Sequence, residues 1–448
     1  MKQDNAQNEQ HVDLVKRVAG LHPAKIVMLG YLLYMIVGWL LLCLPFAQRE
    51  KVSAMDSLFI AASAISTTGL VTVSIADSYN LFGQIVILLL IQLGGLGYMT
   101  VGSFVVLSRK TELTSLRANV GQVVFSLPAG FRVDKFIRSV MLFTLIIEMI
   151  GATFLYFQFA RHGVDQPLWS AIFHSISAFC TAGFSLYNSS FEAFSADFWL
   201  NAAIAMLSYL GAIGFIVCVD VWRMLKGKIK AITLTSKIIL WTTFCLTVGG
   251  TLLLFLTEPS IRQLTPEKRL MAAFFQAMTS FTTVGFNTIP IGGLSKASLL
   301  VIIVLMIIGA SPSGTGGGLK STTFTAILGV MKSVINGRKE VLFWGSRIPR
   351  ERVLTAVASL GLYLSALMLG LFLLELTETF SFEAILFEAA SALGTVGLST
   401  GITGDLSSLG KMIIIVLMYC GRLGPLTFSV ALFLKSPDKP EDDGDLAV

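Results

Sequence analysis

The sequence predicts an all-α transmembrane fold. It reads as four tandem helix–pore-helix–helix repeats, with eight spans and four re-entrant pore loops in pseudo-fourfold symmetry around one pore. Three observations lead there: a composition that only a bilayer can solvate, apolar runs of spanning length, and four segments that align with one another without a gap.

The chain has 448 residues, of which 54% are hydrophobic and only 13% charged. So few charges cannot keep the surface of a water-soluble domain wet. The apolar residues gather in runs such as 26–44, 85–107, 140–160 and 413–434. At 1.5 Å rise per residue, about 20 apolar residues cross the hydrocarbon core. The first 20 residues are polar and show no short apolar stretch ahead of a small-residue cleavage site, so no removable signal peptide is expected.

The aligned segments are Phe59-IAASAISTT-Gly69, Phe173-HSISAFCTA-Gly183, Phe275-QAMTSFTTV-Gly285 and Phe387-EAASALGTV-Gly397. Each carries Ser or Thr at its fifth position: Ser63, Ser177, Thr279 and Ser391. Each has Thr two residues before the final glycine. A further glycine recurs at Gly94, Gly211, Gly309 and Gly421, which lie 25, 28, 24 and 24 residues downstream. Small residues alone could serve close helix packing. That reading leaves the fixed Phe, Thr and Gly columns unexplained.

The repeats divide the chain into a tail (1–22), repeat one (23–108), repeat two (138–226), repeat three (236–332, with an intramembrane glycine-rich loop at 308–320), repeat four (352–435) and a second tail (436–448). First spans are expected near 23–46, 138–160, 236–257 and 353–377. Second spans are expected near 81–107, 198–225, 298–331 and 410–434. The helix before each Thr-x-Gly has about a dozen residues, roughly 18 Å, which is too short to cross and suits a re-entrant element. Two crossings per unit return the chain to one side, so all four units share an orientation and can surround one axis. Non-helical backbone at membrane depth is tolerated where it lines a cavity.

Charge supplies the orientation. Lys and Arg number four in residues 1–25, six in 108–139, five in 222–237, six in 332–352 and two in the C-terminal tail, against eight on the opposite side. The positive-inside rule therefore expects both termini in the cytoplasm. In loops this short, basic clusters are topology signals, and no nucleic-acid partner is expected.

The predicted filter consists of Thr67, Thr68 and Gly69; Thr181, Ala182 and Gly183; Thr283, Val284 and Gly285; and Thr395, Val396 and Gly397. Pore helices aim their partially negative C-terminal ends inward. Glycine frees the backbone to direct carbonyls at the axis, and carbonyl rings that replace a hydration shell conduct K⁺. No Asp, Glu, Lys or Arg stands in the four turns, which argues against Ca²⁺ or anion selectivity. The five cysteines and four histidines are dispersed, so no metal site other than K⁺ at the filter is expected.

Three polar features interrupt the spans. IGASPSGTGGGLK at 308–320 is close to a phosphate loop, but Leu319 stands where that motif needs glycine and no strand precedes it. It reads as a gate under the filter, built from Gly309, Ser311, Gly314, Gly316, Gly317, Gly318 and Lys320. Lys320 either marks the gate or snorkels to the cytoplasm. Arg422, at membrane depth, either forms a cavity barrier or braces the filter through an ion pair with Glu388. Glu148 and Glu375 are expected at helix–helix or subunit contacts. Nothing in the spans suggests catalysis, so no enzyme is expected. A coupled metabolite transporter would show inverted repeats instead.

Gln92-LGGLGYMT, Phe281-TTVGFNT, Ser311-PSGTGGGLKSTTF and Tyr419-CGRLGPLTF resemble the Trk/Ktr/HKT superfamily of K⁺ uptake proteins, and within it the membrane subunits of bacterial Ktr systems. The resemblance runs from His22 to Leu434. It implies potassium uptake across a bacterial plasma membrane. It also implies that the four filter glycines select K⁺, since relatives with Ser in the first repeat tend to favour Na⁺. The varying middle residue suggests less strict selectivity than in tetrameric K⁺ channels. The resemblance further implies a homodimer in membrane lipid above a cytosolic nucleotide-binding regulatory ring. No nucleotide-binding unit is visible in this chain, so no cofactor is expected here. Nucleotide would sit on the partner, and Na⁺ activation stays open.

Overall fold

A computed structural model of the chain describes residues 23–97, 133–227, 229–338 and 340–433. The predicted tails, and the expected continuation of repeat one beyond Gly97, lie outside the described residues. Repeat one contributes α1 (Pro23–Leu42), α2 (Ala54–Ile65) and α3 (Leu81–Leu96). Repeat two contributes α4 (Val133–Arg161), α5 (Pro167–Phe179), α6 (Phe198–Ala212) and α7 (Phe215–Leu225). Repeat three has α8 (Leu234–Thr257), α9 (Pro266–Thr282), α10 (Lys296–Ile307) and α11 (Ser321–Ile335). Repeat four has α12 (Arg350–Thr377), α13 (Phe382–Gly394), α14 (Ser408–Leu423) and α15 (Pro425–Phe433).

Helices α1, α4, α8 and α12 hold the stretches long and apolar enough to cross a bilayer. Their outer faces stay apolar and exposed, as Leu142, Leu145, Met149 and Ile150 of α4 illustrate. That i, i+3, i+7, i+8 stripe suits lipid or a partner helix rather than water. Helices α3, α6, α10 and α14 each begin behind a capping residue, Asn80, Asp197, Ser295 and Ser407, whose side chain accepts a first-turn N–H.

The second spans expected near 198–225 and 410–434 are each broken in two. α6 and α7 meet at 96° and α14 and α15 at 100°. The hinges are Gly214 (φ 92°, ψ 147°) and Gly424 (φ 82°, ψ 132°), and α3 ends on Gly97 in the same conformation (φ 80°, ψ 134°). Only glycine adopts these angles without strain. Each hinge lies three residues beyond a recurring glycine. In repeat three the corresponding residue is Pro312, and the chain instead leaves α10 through β1 (Ile308–Gly309) and returns through β2 (Leu319–Lys320), paired in parallel.

The four repeats close on themselves. α3 packs on α5, α6 on α9, α10 on α13, and α14 on α2, so each second helix touches the short helix of the next repeat. Polar ties join the same neighbours: Asn188 with Ser74 and Asp77 and Asn287 with Glu192 between segments that follow the filter glycines, and Lys296 with Glu383 and Lys411 with Asp56 at the entry ends of two short helices. The column phenylalanines Phe59, Phe173, Phe275 and Phe387 are wholly buried in the shared core.

The recurring glycines explain how helices come so near. A Cβ on Gly94, Gly211 or Gly421 would collide with the carbonyl oxygen of Ile65, Phe179 or Leu393, four residues before the filter glycine of the same repeat. Gly421→Ala is therefore expected to lower stability by about 1–3 kcal/mol, as overpacking does. Gly249→Ala, with no heavy atom within 4 Å of the added Cβ, is expected to be neutral or stabilising. Thermal unfolding in detergent compares the two; equal shifts would contradict the close-approach account.

Candidate functional site

Each short helix ends in a threonine with left-handed backbone: Thr67 (φ 52°), Thr181 (φ 49°), Thr283 (φ 59°) and Thr395 (φ 50°). A β-branched residue is strained there by on the order of 1–3 kcal/mol, so surrounding bonds must fix it. The next residue supplies one in every repeat. Thr68, Ala182, Val284 and Val396 donate their N–H groups to the carbonyls of Ser63, Ser177, Thr279 and Ser391, at 2.9, 2.8, 3.1 and 2.9 Å. The hydroxyls of Ser63 and Ser391 also accept from the N–H groups of Gly69 and Gly397, both at 3.1 Å. The fifth-position column thus anchors the turn to its helix.

The turns meet one another in cyclic order. Gly69, Gly183, Gly285 and Gly397 all have positive φ (93°, 65°, 81° and 91°). A Cβ on Gly69 would strike the carbonyl oxygen of Ala182, one on Gly183 that of Val284, one on Gly285 that of Val396, and one on Gly397 that of Thr68. Each such Cβ would also stand 3.0–3.2 Å from the Cα of the next glycine. All twelve predicted filter residues therefore come together in one closed ring of backbone, with the short-helix C-termini converging on it.

The glycine-rich loop lies against that ring. Thr315 Oγ1 is 3.1 Å from Thr181 Oγ1, and Thr67 Oγ1 donates to the Thr315 carbonyl at 3.4 Å. A Cβ on Gly316 would strike the Thr283 hydroxyl, and one on Gly317 the Thr395 hydroxyl. Three consecutive residues thereby touch all four column threonines. The loop also docks on the hinge of repeat two. Thr315 and Ser311 donate their N–H groups to the carbonyls of Gly211 and Ala212, at 3.1 and 3.0 Å, and Phe215 donates to the Ser313 carbonyl at 3.2 Å. These bonds satisfy backbone groups that the break between α6 and α7 leaves free. Gly318 (φ 71°) turns the chain into β2, where Gly309 pairs with Lys320, and Ser311 Oγ sits 3.2 Å from Ser321 Oγ.

Two cations sit on this side of the ring. Lys320 does not snorkel outward, because Nζ donates back into the loop, to the carbonyls of Gly316 (2.7 Å) and Gly317 (3.5 Å). Arg422 donates to Thr67 Oγ1 (3.0 Å), to the carbonyls of Thr315 and Gly94, and to that of Gly95 (3.2 Å). The expected Arg422–Glu388 ion pair is absent. Glu388 faces the other side of the ring, where it accepts from Thr403, so the two residues never meet. A cavity of about 650 Å³ borders the loop, lined by Lys320, Arg422, Gly316, Gly318, Pro312 and Asp220 among others.

Of the remaining carboxylates, Glu148 is buried and accepts from Gln92 at 3.3 Å, joining α4 to α3, while Glu375 is exposed. Sequence reasoning missed the glycine hinges and the serines two residues beyond two of the filter glycines, Ser185 and Ser399. The Gly-x-x-Gly spacing in three repeats was a usable signal for the hinges. The serines recur in only two repeats and gave none.

Residues 34–440 match the TrkH family, described as cation transport proteins. The Ktr system potassium uptake protein B of Bacillus subtilis is 36% identical over 411 residues, covering 91% of this chain and 92% of the relative. Its namesake from Vibrio alginolyticus is 34% identical, covering 93% of each chain. The potassium/sodium uptake protein NtpJ of Enterococcus hirae is 35% identical, covering 93% of this chain and 94% of the relative. The solved potassium transporter TrkH from Vibrio parahaemolyticus superposes with a TM-score of 0.69 at 20% identity, over 86% of this chain and 79% of that one, which speaks for the fold. This chain belongs to the TrkH family of cation transport proteins, multi-pass membrane proteins and not enzymes.

Proposed function

We propose that this chain is the membrane subunit of a bacterial K⁺ uptake system, conducting K⁺ inward through a filter made of its four Thr-x-Gly turns. The observation that carries this reading is the closed ring in which each filter glycine abuts the carbonyl of the next turn. Carbonyl rings supplied at the ends of inward-pointing helices suit a dehydrated monovalent cation. The turns hold no charged side chain, and relatives of matching length are named for potassium uptake. In this reading the repeats make eight spans with four re-entrant pore loops, and both termini lie in the cytoplasm of the plasma membrane.

The loop 308–320 acts as the gate. With Thr315, Gly316 and Gly317 against the four threonines, a hydrated ion leaving the filter has no way past. Arg422 latches the loop to repeat one and places positive charge at the inner mouth, so it serves as barrier and latch together. The chain works as a homodimer in lipid, and a separate cytosolic nucleotide-binding ring moves the loop. This chain needs no cofactor of its own; nucleotide acts through that partner.

Uptake of ⁸⁶Rb⁺ into liposomes carrying the purified protein, driven by an internal K⁺ load, tests the filter. External K⁺ is expected to block uptake far better than Na⁺. Gly285→Ser, which forces a side chain onto a positive φ against Val396, is expected to abolish uptake or to cut that preference at least about tenfold, or ~1.4 kcal/mol. No uptake even with the cytosolic partner present would remove the pore reading.

Deleting residues 314–318 is expected to give flux that no longer needs the partner; flux that stays fully partner-dependent would refute the gate. Arg422→Ala is expected to raise turnover in protein that elutes normally on size exclusion. Loss of assembly instead would make Arg422 a structural brace.

A further inference from the structure

The column directly after the buried phenylalanines reads Ile60, His174, Gln276 and Glu388. All four side chains are buried behind the ring, at 0, 0, 0 and 1% exposure. Apolar Ile60 needs no explanation there, but an imidazole, an amide and a carboxylate each lose hydration and require partners. His174 has them, Glu388 has one on a single carboxylate oxygen, and Gln276 has none.

His174 Nδ1 lies 2.7 Å from the Ser170 carbonyl, which can only accept. The ring proton is therefore on Nδ1, and Nε2 is an acceptor. Nε2 takes the Leu186 N–H at 3.3 Å and stands 3.0 Å from Ser185 Oγ. Ser185 is two residues past Gly183, and its hydroxyl accepts from the Tyr187 N–H at 3.0 Å, closing the turn that leaves the ring. Repeat four repeats the device with different chemistry. Glu388 accepts from the Thr403 hydroxyl, which lies 2.9 Å from Ser399 Oγ. Ser399 is two residues past Gly397, and its hydroxyl accepts from the Gly401 N–H at 2.9 Å.

The other two repeats lack it. Repeat one has Ile60 and Val71 at these places, and repeat three has Gln276 and Asn287. Gln276 keeps both amide atoms buried without a partner, and Asn287 turns instead to Glu192 and the Ile289 carbonyl. Depth alone therefore does not create the link. Because the turns contact in the order one, two, three, four, one, repeats two and four stand opposite across the axis. All four turns share the fifth-position bonds, but among the described residues this second link, from the column after the phenylalanine to the serine past the filter glycine, lies along one diagonal only.

We propose that His174 and Glu388 are positioning residues that pin the outer ends of two opposite filter turns, through Ser185 and through Thr403 with Ser399, and thereby set how sharply the filter separates K⁺ from Na⁺. The inference rests on the filter reading above. A carbonyl cage discriminates between cations only as far as its oxygens resist closing around the smaller one. Glycine turns with no side chain of their own borrow that resistance from bonds made outside the ring.

The test is the ratio of Na⁺ to K⁺ concentrations that half-block ⁸⁶Rb⁺ uptake in proteoliposomes, measured on variants that elute as the wild type does. Ser185→Ala and Thr403→Val, which remove the hydroxyl of each link, are expected to lower the ratio about three- to tenfold. His174→Leu and Glu388→Leu are expected to lower it at least as far. Glu388→Gln keeps an acceptor oxygen for Thr403 and is expected to restore it. Gln276→Leu is expected to leave it unchanged. An unchanged ratio in both Ser185→Ala and Thr403→Val overturns the proposal, and so does an equal fall in Gln276→Leu. Gly285→Ser run alongside separates the two readings. If it shifts the ratio while the hydroxyl variants do not, the filter stands and the pinning falls; if it shifts nothing, the filter reading itself fails.

Discussion

The constraint on which this structure depends is the approach of four backbones to one another at membrane depth. Each turn lies against its neighbour, and a Cβ on any of the four glycines would occupy the place of the neighbour's carbonyl oxygen. Side chains are excluded, so the ring is glycine with positive φ. Backbone without a ladder of its own must still be bonded. The N–H of each middle residue therefore reaches back to the fifth-position carbonyl, and the threonine between them accepts a strained conformation. Further out, the helix that follows must pass close to the end of the short helix, which the second glycine column permits. The columns of the sequence are successive shells of one packing problem.

Repeat three departs from the pattern where departure is least harmful. Its turn obeys the same rules as the others, and Gly285 contacts its neighbours as they do. The difference begins after α10. Gly309 no longer faces a short-helix carbonyl; a Cβ there would stand 2.5 Å from the Gly317 oxygen in the loop. The chain spends the length between β1 and β2 on an excursion across the threonine side of the ring, then resumes as α11. The hinge of repeat two supplies the carbonyls on which the loop rests.

What the sequence disclosed was whatever fourfold repetition enforces. Phe59, Thr67, Gly69 and their counterparts stand in register because each repeat solves the same steric problem, and the family relation follows from the same residues. The hinges were hidden because hydropathy continues through them. Gly-Ala-Ile-Gly at 211–214 is as apolar as the helices on either side, and only the backbone angles record the break. The partners of Arg422 could not be read either, since they are mostly carbonyls, which every residue possesses. Glu388 was a possible partner from its place in the fourth short helix, and that place does not say which side of the ring its side chain faces. Lys320 escaped for a related reason: its carbonyl partners belong to a fold of the loop that no periodicity encodes.

The two cations beside the loop hold different things. Lys320 bonds to Gly316 and Gly317, carbonyls of the loop itself, so those contacts can travel with it. Arg422 belongs to α14 and binds across a boundary, to Thr315 in the loop and to Gly94 and Gly95 in α3. Withdrawing Thr315 from the threonines must break the Arg422 bond and need not break those of Lys320. The hydroxyls of Thr283 and Thr395, now buried against Gly316 and Gly317 without a partner, would regain water as it left. Uncovering two unsatisfied hydroxyls offsets part of the cost of losing the Arg422 contact. The loop is thus stapled internally through Lys320 and joined to its surroundings through Arg422, the hinge of repeat two and the Phe179 carbonyl.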